Sequence, residues 1–261
     1  MNPIRGGLVG GYAGGGTRTS TCTVGSGPCT GEELYKDGRY LELNPTWHAE
    51  DSPWKAKQVF EMIRRNNLQP NSICEVGCGA GEILNQLHLL SSGPVSFTGY
   101  EVSPQAFHLC KAKEKERLHF HLGDLLLQDE AYFNVVLAID VFEHVEDYLG
   151  FLRRLREKGQ FKIFHIPLDL SVQTVFRASP ILKQRRSVGH IHYFTMETAL
   201  AALVDTGYEI LDHFYTSHCI DLPAMSFKNL LAKMPRKGAF QLHRDLAVRI
   251  FGGFSLMVLT Q

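Results

Sequence analysis

Ile73-Cys74-Glu75-Val76-Gly77-Cys78-Gly79-Ala80-Gly81 decides the reading of this chain: an apolar run closes in alternating glycines, and a helical pattern opens directly behind them. A short apolar run bounded by glycine reads as a buried strand, and glycine lets the next turn bring its backbone close to a ligand. A glycine turn alone is weak evidence, because dinucleotide-binding chains share it. Glu75 shifts the balance. A carboxylate two residues before the first glycine repels a pyrophosphate, whereas a ligand with an ammonium and a sulfonium tolerates or favours it. Cys74 in the strand and Cys78 in the turn behave as small apolar residues.

Outward from this turn, strand-like and helix-like segments alternate. The spacing predicts a strand over Ser72–Gly77 and a helix over 81–90. A strand over Val95–Glu101 and a helix from Pro104 to about Glu116 follow, then strands over Leu118–Leu122 and Phe133–Ile139. A helix over 146–157, a strand over Phe161–Ile166, a helix over Met196–Thr206 and late strands over Tyr208–Thr216 and Phe254–Thr260 complete the pattern. Upstream, Asp51-Ser52-Pro53 is a helix-start signal, and Ala56, Val59, Phe60 and Ile63 recur at helical spacing over 53–66. Such alternation implies an α/β fold, a mostly parallel sheet covered by helices on both faces.

Three stretches fall outside the alternation. Residues 1–34 are a Gly-rich leader with too few apolar groups to offset backbone entropy, so they are expected to be flexible; the globular domain is residues 35–261. Segments 168–194 and 218–252 read as insertions. The second carries Phe227, Leu230, Leu231 and Met234 at helical spacing ahead of Pro235, which suits a cover over the site or a homodimer face.

Composition narrows the function classes. Lys and Arg total 27 and Asp and Glu total 27, so no bulk positive field exists, and neither a nucleic-acid nor a membrane partner is expected. Two local basic runs stand out. Lys111–Arg117 alternates with glutamates and reads as a solvated helix face; Lys183–Arg186 is the other. The six cysteines form no CxxC pair and match no zinc spacing, which fits a reducing, cytoplasmic location. No apolar run reaches the roughly 18 residues of a bilayer span, and the N-terminus lacks a signal-peptide core.

Acidic residues stand at the ends of the following strands. Glu101, with Val102 beside it, closes the second strand, where a carboxylate can accept from both hydroxyls of a ribose. Asp124 closes the third, placed to accept from an adenine amino group, and Leu125 offers its backbone and packs on the ring.

With EVGCGAG, GYEVS, LGD and NVVLAIDVFEHVED in this order and spacing, the chain resembles the class I S-adenosylmethionine (SAM)-dependent methyltransferases, most of all a small-molecule group with a D-x-x-E-H-V signature. Gly189–Thr195 (GHIHYFT) resembles a stretch common in the same group. The resemblance implies a Rossmann-like seven-stranded sheet with its last strand antiparallel and SAM across the strand ends. Glu75, Gly77, Cys78, Gly79 and Gly81 then match the cofactor loop, Glu101 the ribose acid, Asp124 the adenine contact, and Asp140 the residue beside the methyl group. Residues 35–69 match a lid, in which Trp47, His48 and Trp54 either face the ligands or staple the helix, and the two insertions match the substrate side.

Methyl transfer to a hydroxyl wants a general base, and histidine titrates in the right range. Of the twelve histidines, His144 and His190 are the favoured bases, with His165 and His192 on the substrate side. The site is read without a metal, although Asp140, Glu143 and His144 resemble a divalent-ion set of some quinone-pathway O-methyltransferases. No Asn/Asp-Pro-Pro-aromatic motif and no Pro-Cys follows the fourth strand, which disfavours nucleobase methylation. The implied activity is biosynthetic O- or N-methylation of a small molecule such as a natural product, sugar or quinone. The alternatives are a non-catalytic SAM-binding scaffold and an NAD(P)-dependent dehydrogenase.

Overall fold

The computed structural model describes residues 40–41, 44–47, 49–222 and 227–261; the Gly-rich leader 1–34 and His48 lie outside the described residues. Helix α1 (Ser52–Arg65) enters through Pro53 and buries Ala56, Val59 and Met62. The alternation then runs β1 (Ser72–Val76), α2 (Glu82–Leu90), β2 (Ser96–Glu101), α3 (Pro104–Lys111), β3 (Leu118–Leu122), β4 (Phe133–Ile139), α4 (Tyr148–Arg156) and β5 (Gly159–Pro167). It continues with α5 (Val172–Arg177), α6 (Ser179–Ser187), α7 (Met196–Asp205), β6 (Ile210–Thr216), α8 (His218–Asp221), α9 (Phe227–Leu242), α10 (Arg244–Phe251) and β7 (Ser255–Thr260). No described helix is long and apolar enough to cross a membrane.

The seven strands form one sheet in the order β3-β2-β1-β4-β5-β7-β6, parallel except for β7, which runs antiparallel to both neighbours. Strand β4 is the hub. Its period of two sends Val136 and Ala138 into one core with Phe142, Leu152 and Phe164, and Val135, Leu137 and Ile139 into the other with Leu84, Phe97 and Ile163. A strand buried on both faces reads as a continuous apolar run, which is why the segment is legible without alternation. Strand order reverses on either side of β1, between β2 and β4, and the loops leaving β1 and β4 part there. That divergence opens a crevice at the carboxyl ends of the strands.

The structure corrects two local expectations. Helix α3 stops at Lys111 rather than near Glu116, because the charged run folds into turns instead of lining a solvated helix. There Lys113 Nζ donates to the Ala80 carbonyl (2.8 Å), Glu114 accepts from the Phe120 amide (3.0 Å), and Arg117 takes a left-handed φ of 61° while donating to the Gly93 carbonyl. Asp51 precedes α1 but makes no side-chain cap bond; its carboxylate pairs with His218 Nε2 at 2.9 Å. Segments 168–194 and 218–252 are largely helical, as α5 with α6 and α8 with α9 and α10. The side chains of Phe227, Leu230 and Leu231 lie outside the described residues, whereas Met234 is exposed.

Candidate active site

A cavity of about 700 Å³ opens at the carboxyl ends of the central strands, between the β1 turn, α1, the end of β5 and α6. Volumes of several hundred Å³ suit a small ligand or a cofactor with an acceptor. Glu75, Gly77, Cys78, Gly79, Glu101, Val102 and Asp124 all reach its wall.

Glu75 stands one residue before the end of β1 at 2% exposure, and its Oε2 has no hydrogen-bond partner among the described residues. Burial pushes its carboxyl well above the usual range, with the Lys55 ammonium pulling the other way. A buried acceptor without a donor is costly, and a ligand ammonium placed there would satisfy it. Glu101 is engaged differently. Its Oε2 accepts from the Gly79 amide and its Oε1 from the Ser103 amide, both at 2.7 Å, so it ties the glycine turn to the start of α3. Burial raises its carboxyl while these amides oppose the shift. Two carboxylate oxygens carry about four acceptor sites, which leaves capacity for ribose hydroxyls. Asp124 accepts from the Leu126 amide (2.8 Å) at the cavity edge. The residues at the base of β1 and β2 therefore fit the cofactor the resemblance implies.

Two expected contacts move. Leu125 is fully buried in the core, and its neighbours Leu126 and Leu127 take the place on the cavity wall. Gly81 lies off the wall and serves packing: a Cβ there would sit 2.6 Å from the Phe120 ring and 2.7 Å from Cys110. Gly79 is the closer approach to the site. Its φ is +53°, and a Cβ would meet Trp47 of the lid segment at 2.7 Å.

At the end of β4 stands Asp140, held at a left-handed φ of 54°. Its Oδ1 accepts from His165 Nδ1 (2.6 Å), and its Oδ2 pairs with Lys55 Nζ of α1 (2.7 Å). Burial would raise this carboxyl, yet the His165 ring and the Lys55 ammonium hold it far below the usual range. Burial would likewise lower Lys55, and Asp140 keeps it charged. An ionised Asp140 can only accept, so His165 carries its proton on Nδ1, and its Nε2 accepts from the Thr216 hydroxyl (2.8 Å). Both ring nitrogens are spoken for. His165 lines the cavity as a brace between β4, β5 and β6 and has no free nitrogen for a substrate proton.

Across the cavity, the turn after β4 and the segment after α6 bring Glu143, His144 and His190 together. Glu143 is 1% exposed and neither carboxylate oxygen has a hydrogen-bond partner among the described residues; burial, then Asp140, push its carboxyl well up. The His144 and His190 rings meet edge to face at 4.8 Å. His190 Nδ1 donates to Asp169 Oδ2 at 2.6 Å, by the same logic as His165, which leaves Nε2 as a proton acceptor. Potential ligand atoms of Glu143, His144 and His190 lie within 4.8 Å of one another, a carboxylate-and-imidazole set that could hold a divalent ion. This differs from the Asp140, Glu143 and His144 set of the resemblance, because Asp140 is committed to Lys55 and His165.

The remaining expected residues divide. Trp54 lines the cavity, edge-on to His165 and His218, and its Nε1 donates to Asp221 (3.1 Å). Trp47 lines it beside Tyr40, ring centroids 4.7 Å apart. His192 stands off the wall: its Nε2 meets the Val145 carbonyl (2.9 Å) and its ring leans on Tyr148, so it packs the loop rather than the site.

Lys55, Tyr40, Asp169 and Thr216 are the residues that sequence reasoning missed. Lys55 had a readable signal, since it shares the apolar face of Ser52, Val59 and Met62, and a cation there needs a buried partner. Tyr40 is buried against the site, and burial with Asp140, Glu143 and Glu101 pushes its phenol up. Asp169 and Thr216 carry no local signal.

A family model described as a methyltransferase domain matches residues 48–213. Norajmaline N-methyltransferase of Rauvolfia serpentina is 27% identical over 113 residues, a match that spans 38% of this chain and only 38% of that protein's length. Among solved structures, a plantazolicin methyltransferase with a desmethyl substrate analogue and SAH aligns at a TM-score of 0.56 and 16% identity, covering 88% of this chain and 92% of that one. The magnesium protoporphyrin IX methyltransferase of Synechocystis PCC 6803 with bound SAH aligns at 0.54 and 16% identity, covering 80% and 82%. At such identities the structural likeness is one of fold.

Proposed function

The chain belongs to the methyltransferase-domain family, and from that premise we propose that it methylates a hydroxyl or amine of a small molecule, with His190 as the general base and Asp169 behind it. It is a class I SAM-dependent enzyme, and SAM is its cofactor. When bound, SAM supplies the methyl group as an electrophile on a sulfonium. The chain's own task is to hold, align and deprotonate the acceptor.

One observation carries the reading: a single cavity bears the Glu75–Ala80 turn with Glu101 and Asp124 on one side and His144 with the His190–Asp169 pair on the other. Glu75 offers its unpartnered oxygen to an ammonium, and Glu101 offers its remaining lone pairs to ribose hydroxyls. His190 Nε2 takes the acceptor's proton, and the Asp169 carboxylate stabilises the imidazolium that forms. Behind His144, burial and the neighbouring Asp140 raise the Glu143 carboxyl well above its usual range. Lys55, Asp140 and His165 brace the wall between these halves, and α6 closes the acceptor side through Gln184 and Val188.

Calorimetric titration with SAM and with its demethylated product tests the cofactor half, using Glu101→Ala as control. Binding that is lost in the variant supports it; absence of binding to the wild type, with or without candidate acceptors, overturns it. The acceptor half is tested by transfer of labelled methyl from SAM to paired hydroxyl- and amine-bearing compounds. Wild-type turnover that survives His190→Gln would remove the proposed base.

A further inference from the structure

The even charge balance hides a segregation. Residues 170–196 contain no acidic residue and carry Arg177, Lys183, Arg185 and Arg186; residues 222–244 contain none either and carry Lys228, Lys233, Arg236, Lys237 and Arg244. These two runs are remote in sequence but join in space. Helix α5 packs on α10, α10 packs on α9, and Arg236 Nη2 reaches Gln173 Oε1 of α5 at 3.2 Å. Arg177, Lys183, Arg185 and Arg186 are all exposed and have no ion-pair partner among the described residues.

The same layer exposes apolar side chains that a solvated surface would not keep. Val172, Val175 and Phe176 fall at i, i+3 and i+4 on α5, so they share one face, and Phe176 is 89% exposed. On α6, Leu182 is exposed on the face it shares with Arg185 and Arg186, one turn further on. Gln184 on the opposite face of α6, and Val188 just past its end, reach the cavity wall. One short helix thus has a basic, apolar outer side and an inner side that closes the acceptor half of the site.

We propose that α5 and α6, with the exposed Lys237 of α9 and Arg244 of α10, dock on a bilayer surface containing anionic lipid. Arginine and lysine heads reach lipid phosphates while their stems and the Phe176 and Leu182 side chains enter the acyl boundary. A nucleic acid fits less well, because Val172, Val175 and Phe176 would face its phosphates unpaired. An acidic protein would match the charge but not the exposed apolar face of Val172, Val175 and Phe176. Resting on the function proposed above, this geometry would let a membrane-dissolved acceptor enter beside Gln184 and Val188.

Vesicle flotation of the full chain tests docking without reference to activity. Phosphatidylcholine vesicles containing phosphatidylserine are expected to retain the protein at least about tenfold better than pure phosphatidylcholine, with the difference shrinking at high salt. Phe176→Ser and the triple change Lys183→Glu, Arg185→Glu, Arg186→Glu should each abolish retention while thermal stability and SAM affinity stay at wild-type values. Equal retention on neutral and anionic vesicles, or retention indifferent to both variants, overturns the proposal. So does a concentration-dependent dimer that Phe176→Ser disrupts, which would make this face a contact between copies. Binding of soluble polyglutamate or RNA as strong as that of anionic vesicles, and insensitive to Phe176→Ser, also overturns it. Loss of methyl transfer with SAM binding and vesicle docking intact would count against the catalytic reading alone.

Discussion

Glu75 places a stability cost at the site where a cofactor is to bind. Its folded-state carboxyl titrates above the unfolded value of about 4.3. The folded protein therefore binds more protons than the unfolded chain in that window. This contribution to stability is complete below the unfolded value and is lost as pH rises towards the folded one. Glu75→Gln should flatten the decline in cofactor-free stability as pH rises above the unfolded value, while weakening SAM binding by about tenfold or more, since a charge-assisted hydrogen bond contributes roughly 1.5–3 kcal/mol. Denaturant titrations across pH, paired with calorimetry, read both effects; a variant with unchanged affinity would remove Glu75 from the cofactor site. The His190–Asp169 pair makes a different prediction. His190→Gln should lower kcat by roughly 10²–10⁴-fold with SAM affinity unchanged, and Asp169→Asn should lower kcat while leaving KM for the acceptor near wild type. Equal losses in cofactor affinity would mean that the two merely support the fold.

At the level of elements, α1 is fastened to the end of β4 by one ion pair, Lys55 with Asp140, and to α8 by Asp51 with His218. Asp140→Asn leaves a largely enclosed ammonium without its counter-charge and should cost about 3 kcal/mol. Adding Lys55→Met to that variant should recover part of the loss, because the stranded charge is then gone. Urea unfolding of the two single variants and the double closes this cycle; strict additivity would mean that the pair contributes nothing as a pair. Gly81 links the turn to the packing of α3 and β3. Gly81→Ala combines a φ of +72° with a Cβ inside contact distance of Phe120 and Cys110, and should destabilise by roughly 2–4 kcal/mol. A loss below about 0.5 kcal/mol would show that the turn relaxes freely.

For the whole molecule, a ligand that binds only the folded state raises its stability by mass action. At a hundred times its Kd, SAM or its product should add about 2.7 kcal/mol, a rise in Tm of roughly 5–10 °C for a domain of this size. Differential scanning fluorimetry checks this, and Glu101→Ala should suppress the shift. The sheet and its helices were legible because strand and helix periods are set within a few residues: β3 and β4 fall where the apolar pattern puts them. The cavity-lining positions of Glu75, Gly79 and Glu101 follow from the same local pattern, since they stand at or near the ends of β1 and β2. Leu125 was misread because its neighbours Leu126 and Leu127 are equally apolar, and only the 3-10 turn over Leu125–Leu127 decides which one faces inward.

Sequence alone determined the order of the seven strands, the helices α1 to α4 and α7, the glycine turn and the acids that follow it, because each is a local pattern read within a single element or its boundary. Only the tertiary structure decided which partners the histidines take. His165 and His190 are alike in sequence, each a histidine among apolar neighbours. The sheet sets His165 between Asp140 and Thr216, which occupies both its nitrogens, and the loops after β5 and α6 set His190 Nδ1 against Asp169 with its ring edge-on to His144. The physical reason is distance along the chain. Twenty-one residues separate His190 from Asp169 and 51 separate His165 from Thr216, spans over which no periodicity carries information and only the closure of the sheet brings the partners together.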